Sequence, residues 1–197
     1  MNILCIGDVC GSVGCNFLRQ KLPAFKKLKA IDMVVVNGEN ASDGNGLLTG
    51  GNHSFQRRES PALYEENERV LRPANYPAGA PGSGMTVVDF GYTTVAVINL
   101  SGVVYLEPLA CPFQTADRLV AEARAAGAKI ILIDFHAEAT AEKRGLGFYL
   151  DGQVSALFGT HTHVQTADEQ ILPGGTGYIT DLGMTGPIQS VLGVRPE

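Results

Sequence analysis

The stretch Val154-Ser155-Ala156-Leu157-Phe158-Gly159-Thr160-His161-Thr162-His163-Val164 sets the reading of the whole chain. Val154 to Phe158 is a short apolar run of buried-strand character. It opens into a loop of glycine and threonines that carries two histidines at i and i+2. In strand geometry such positions share a face, and a bent loop lets them converge as well. Imidazole is the commonest metal ligand among side chains. The chain has four histidines, and His53, His136, His161 and His163 each sit in a short polar motif after an apolar run. One such histidine is unremarkable; all four point to a shared metal site.

The same strand-and-tip theme recurs upstream. Asn2 to Ile6 runs into Gly7-Asp8-Val9-Cys10-Gly11, which puts Asp8 at the carboxyl end of a strand, where open α/β sheets build their sites. A helix N-cap or turn role is the alternative for Asp8. Met33 to Val36 delivers Asn37-Gly38-Glu39-Asn40, whose Glu39 and Asn40 are hard oxygen donors. Leu47 to Gly51 reads as a further strand ending in Asn52-His53. A parallel crossover takes about a dozen residues or more, and the segment before Leu47 is shorter than that. Either this strand is not a parallel neighbour or a crossover helix is missing there, and the second is favoured by the normal spacing of every other unit.

Between these tips the punctuation is regular. Val13 to Leu28 reads as a helix that Pro23 kinks or divides, with Lys26, Lys27 and Lys29 on a solvated face near its end. Ser60 to Val70 is a short polar helix, and Leu71 to Gly84 a long Pro/Gly-rich loop. Met85 to Phe90 and Thr93 to Leu100 form a hairpin around Gly91-Tyr92. Thr115 to Gly127 is a helix capped by Thr115. Lys129 to Ile133 is a strand with Asp134 to Thr140 as its tip, and Lys143 to Asp151 is helix and turn. Near the end, Gln170 to Leu172 and Gly183 to Pro187 are strands separated by a Gly-rich turn at Gly177 to Thr180.

At 197 residues, 45% hydrophobic and 18% charged, the chain is globular and of single-domain size. The net charge of −5 and the lack of a basic block argue against duplex nucleic acid as a partner. A small phosphorylated substrate is compatible with that charge if metal ions supply the positive field. No apolar run is long enough for a membrane span. No secretory signal is visible, and the four cysteines, Cys5, Cys10, Cys15 and Cys111, form no C-x-x-C pair. Free thiols in the cytoplasm are the expectation.

Together the tips supply Asp8, Glu39, Asn40, Asn52, His53, His136, His161 and His163, more donors than one cation needs. Mixed oxygen and nitrogen donors without thiolates suit iron, manganese or zinc in a two-metal site. Two cations about 3.5–4 Å apart are a standard device for displacement at phosphorus.

The ordered motifs GDVCG, NGEN, GGNHSF, DFHAEAT and GTHTHVQTADE resemble the calcineurin-like metallophosphoesterases. LRPANYP, GTHTHVQ and ITDLGMTGP resemble the YmdB-like branch in particular. The resemblance implies an α/β fold of two packed mixed β-sheets flanked by helices, formed as one domain over residues 1–197. It implies that Asp8, Glu39, Asn40 and His163 hold one metal and Glu39, Asn52, His136 and His161 the other, with Glu39 bridging. His53 would then be no ligand but the general acid that protonates the leaving oxygen. The implied reaction is phosphodiester hydrolysis of 2′,3′-cyclic nucleotides, and a homo-oligomer is implied by analogy. Two other functions share this pattern: an RNA-processing nuclease, and a non-catalytic metal-dependent regulator that binds a nucleotide or a protein. Many calcineurin-like enzymes carry histidine where Cys10 stands; the YmdB-like branch is apolar there, which makes Cys10 a spectator. Relatives continue through further strands beyond Val194.

Overall fold

The computed structural model describes residues 1–38, 47–56, 58 and 60–194. Glu39 and Asn40 therefore lie outside the described residues. Strand β1 (Ile3–Ile6) leads into helix α1 (Gly11–Leu28), which packs back so that β2 (Met33–Asn37) lies parallel to β1. Strand β3 (Leu47–Thr49) and helix α2 (Ser60–Glu66) follow, then β4 (Val70–Leu71). The hairpin β5 (Met85–Asp89) and β6 (Thr94–Ser101) is antiparallel. Helix α3 (Pro112–Ala125), β7 (Ile130–His136), helix α4 (Thr140–Tyr149) and β8 (Ala156–Thr160) build right through to the short β9 (Gln170–Ile171) and β10 (Gly177–Ile179).

The strands form two sheets, ordered β1-β2-β3-β4 and β5-β6-β7-β8-β10-β9. The smaller sheet is parallel at each of its described pairs, and the larger is mixed. Strand alternation separates two apolar layers on the larger sheet. Val95, Val97, Leu132 and Phe158 face the smaller sheet and meet Met33, Val35, Leu47 and Leu71. Ala96, Ile98, Leu100, Ile131 and Ile133 face outward and are covered by Leu119, Val120 and Ala123 of α3 and Leu146 of α4. On the far side, Leu18 and Leu22 of α1 cover Val34 and Val36. The order of layers is thus helix, sheet, sheet, helix. Among the described residues no helix is long and apolar enough to cross a membrane.

Several local expectations shift. Strand β3 is a parallel neighbour of β2, so the first alternative for Leu47–Thr49 is set aside. Pro23 does not divide α1, which runs unbroken through it. Helix α2 stops at Glu66 because Asn67 turns the chain: its side chain accepts the Arg69 N–H and its carbonyl accepts the Val70 N–H. That frees Val70 and Leu71 to pair with β3. Helix α3 begins at Pro112 with Cys111 in the cap position, and Thr115 is an interior residue whose hydroxyl donates to the Cys111 carbonyl. Helix α4 begins at Thr140, earlier than expected. Gly177–Ile179 is a strand rather than a turn, because it finds β8 as a parallel partner and β9 as an antiparallel one. Gly183–Pro187 is not a strand and, among the described residues, keeps one bridge, from Thr185 to Val9.

Candidate functional site

The inter-sheet faces of the strands change character along their length. On β7 the series Leu132, Asp134, His136 lies on one face; on β2 it is Val35, Asn37; on β3 Leu47, Thr49; on β8 Phe158, Thr160. Register aligns these switches, with Asn37 beside Thr49, Asp134 beside Phe158, and His136 beside Thr160. The apolar layer between the sheets therefore ends in a buried polar layer at the carboxyl ends of the parallel strands, where such sheets place their sites.

Asp134 is the hub of that layer. Its Oδ1 accepts the Thr160 hydroxyl at 2.7 Å, and its Oδ2 accepts Asn37 Nδ2 at 2.9 Å and the Thr49 hydroxyl. Burial pushes its carboxyl up to about 6, against the opposing pull of those three donors. A buried carboxylate with this many donors is fully satisfied.

The loop after β8 is held in an uncommon shape. His161 has φ of 105° and His163 of 63°, both in the left-handed range that non-glycine residues rarely adopt. The surrounding hydrogen bonds dictate it. The His161 N–H donates to Asp8 Oδ2 at 3.0 Å. The Thr162 N–H and hydroxyl donate to Asp181 Oδ2 at 3.1 and 2.8 Å. Asp181 in turn takes Lys143 Nζ at 2.7 Å, with both side chains buried, and the Gly183 N–H at 2.7 Å. Gly159 has to be glycine, since a Cβ there would stand 1.8 Å from the Thr180 carbonyl oxygen.

The structure brings the described candidates together in two neighbouring groups. His136 Nε2 lies 3.0 Å from Asn52 Oδ1 and 3.1 Å from His161 Nδ1. Asp8 Oδ1 lies 3.8 Å from His136 Nδ1 and 3.9 Å from His163 Nε2. Among the described residues no three His, Cys, Asp or Glu side chains alone close on one point; each expected set includes an asparagine amide and shares Glu39. Burial holds His136 well below the usual imidazole range and lowers His161 and His163 as well. The charge of His53 acts on both His136 and His163 in the same direction, which sets this exposed residue at the rim of the cluster. Cys10 is also there, its Sγ 3.7 Å from His163 Nδ1.

These residues fit a divalent metal ion. Asp8 is completely buried, its Oδ1 is without a hydrogen-bond partner, and burial drives its carboxyl up to about 8. A carboxylate placed so needs a cation beside it. The imidazoles around it are neutral, with nitrogen lone pairs to offer.

Sequence reading missed the supporting acids Asp134 and Asp181, and Lys143, which it placed in an ordinary helix. Asp134 was legible in principle: the alternation Leu132, Asp134, His136 continues one strand face. Asp181 was not, because its partners lie far along the chain.

Comparison with known proteins agrees with this architecture. The family model for YmdB-like proteins matches residues 4–197. The 2′,3′-cyclic-nucleotide 2′-phosphodiesterase of Bacillus subtilis (strain 168) is 47% identical over 212 residues, which covers 100% of this chain and 80% of the relative. A crystal structure of a hypothetical protein from Thermus thermophilus superposes with a TM-score of 0.92 at 40% identity, covering 99% of this chain and 81% of that one. A novel phosphatase from Mycoplasma pneumoniae superposes with a TM-score of 0.87 at 33% identity, covering 98% and 76%. With its strand-end donors, its two sheets and a family match over nearly its whole length, this chain belongs to the YmdB-like family.

Proposed function

We propose that this chain is a metal-dependent phosphodiesterase that opens small 2′,3′-cyclic nucleotides. The observation that carries the reading is the buried, unpartnered Asp8 Oδ1 within 4 Å of ring nitrogens of His136 and His163. The name of the Bacillus subtilis relative supports the substrate class. Asp8 and His163, with Glu39 and Asn40, would hold one ion; Asn52, His136 and His161, with Glu39, would hold the other. Mixed oxygen and nitrogen donors favour iron or manganese, with zinc as a third candidate. When bound, such ions offset phosphate charge and lower the pKa of a coordinated water.

The rest of the chemistry falls to the chain itself. His136, fully buried and neutral, keeps a lone pair available at pH 7. Asp8, completely buried and with Oδ1 lacking a hydrogen bond, supplies a carboxylate oxygen that an adjacent cation would hold ionised. His53 at the rim gives a proton to the departing 2′-oxygen as its bond to phosphorus breaks and a water oxygen takes its place, which leaves a 3′-phosphate. No disulfide joins the four cysteines, which supports a reducing, cytoplasmic setting. The parallel pairing of β3 with β2 across nine residues supports a natural crossover longer than the one in this sequence; resequencing the coding region between Asn37 and Leu47 tests it.

The deciding experiment is elemental analysis of the purified protein together with 2′,3′-cyclic AMP hydrolysis after manganese loading. About two equivalents of metal with release of 3′-AMP is the expected result. A protein that takes up less and cleaves nothing is not this enzyme.

A further inference from the structure

We propose that Glu138 directly, and Asp134 through Thr160, are positioning residues that fix which nitrogen of His161 and of His136 carries the proton. This rests on the metal reading above and extends it to groups that would touch no ion. A ligating imidazole must offer a lone pair on one nitrogen, and the partner of its other nitrogen decides which.

For His161 the partner is Glu138, whose Oε2 lies 3.1 Å from His161 Nε2. A carboxylate only accepts, so Nε2 carries the proton and Nδ1 keeps its lone pair. For His136 the partner is Thr160, whose Oγ1 lies 3.0 Å from His136 Nδ1. The Thr160 proton is already committed to Asp134 Oδ1. The hydroxyl therefore meets His136 with a lone pair, Nδ1 carries the proton, and Nε2 keeps its own lone pair.

Both assignments aim at one spot. His136 Nε2, His161 Nδ1 and Asn52 Oδ1 stand 3.0 and 3.1 Å apart with their lone pairs facing one another. Such an arrangement is repulsive until a cation enters it. Two metal–donor bonds of about 2.1 Å span donors about 3 Å apart. One stretch, Asp134-Phe135-His136-Ala137-Glu138, thus contributes one donor and both outer acids. The acids differ in accessibility: the Glu138 side chain is 50% exposed and Asp134 is completely buried. Glu138 can be altered without leaving a hole in the core.

The test measures zinc affinity by chelator competition and the His161 tautomer by imidazole ¹⁵N shifts in the metal-free protein, where no ion fixes it. Glu138→Ala is expected to weaken zinc binding about 10–100-fold and to mix the His161 tautomers, with little change in Tm. Glu138→Gln keeps an acceptor oxygen and should stay within about threefold of wild type. Thr160→Ser should likewise hold its affinity while Thr160→Val loses it. Wild-type zinc affinity and an unchanged His161 tautomer in Glu138→Ala overturn the proposal. A wild-type protein that binds no zinc, manganese or iron overturns the metal reading itself, a result distinct from the first.

Discussion

Asp8 Oδ2 accepts the backbone N–H of His161 at 3.0 Å, which joins the end of β1 in one sheet to the end of β8 in the other. One oxygen of this carboxylate shapes the histidine loop while the second, Oδ1, is left without a hydrogen bond. That division makes Asp8 both a structural tie and a destabilising charge.

Burial raises the Asp8 carboxyl from 3.8 to about 8 and the Asp134 carboxyl to about 6. The folded state therefore holds protons that the unfolded chain has released. The contribution of these groups is fully present below about pH 4 and is lost as pH rises through 6 and 8. Below about pH 7 the imidazoles of His136, His161 and His163, which burial lowers, act in the opposite direction. In EDTA the fall in Tm should therefore appear between about pH 7 and 8.5, on account of Asp8. Manganese at about 100 times its Kd should raise Tm by roughly 5–10 °C at pH 8. Asp8→Asn should flatten the Tm profile in EDTA and cut the gain with manganese to what the ion at Asn52, His136 and His161 supplies. Scanning calorimetry decides it; a metal-free protein whose Tm climbs between about pH 7 and 8.5 contradicts the assignment.

The buried Lys143–Asp181 pair supports the same loop. Lys143→Met leaves a buried carboxylate without its cation and should destabilise the fold by about 3–5 kcal/mol. Asp181→Ala should do so as well and also release Thr162. Its metal affinity should therefore fall further than that of Lys143→Met. Urea unfolding paired with metal titration separates the two effects, and equal affinities in both variants would remove the clamp role from Asp181.

His53 is exposed at the rim and acts electrostatically on two of the three other histidines. His53→Ala should keep its metal content while kcat falls about 10²–10⁴-fold. Elemental analysis beside steady-state kinetics checks this. Loss of metal in that variant would make His53 a ligand instead.

Gly159 lies where β8 meets the segment after β10. Gly159→Ala would set its Cβ 1.8 Å from the Thr180 oxygen and 2.9 Å from Lys143 Cδ. Backbone must shift, at about 1–3 kcal/mol. Chemical denaturation reads the loss, and an unaltered midpoint would contradict the close approach of these segments.

Local chemistry carried much of this protein. Apolar runs followed by polar tips located β1, β2, β3 and β8, and named Asp8, Asn52, His53, His136, His161 and His163 before any fold was drawn. Turn residues located the β5–β6 hairpin. These signals are readable because strand length, alternation and turn chemistry depend on neighbours in the chain. Glu39 and Asn40, named in the same way, lie outside the described residues.

What tertiary structure alone decided is the pairing of distant groups. Val70–Leu71 is a strand only because β3 offers it an edge, and Gly177–Ile179 only because β8 does. Asp181 looked like any loop aspartate until it met Lys143 across 38 residues of chain. The left-handed turns at His161 and His163 are stable only because Asp8 and Asp181 accept the backbone N–H groups of His161 and Thr162. A sequence states which groups want partners; the partners are supplied by segments whose separation along the chain carries no local signal.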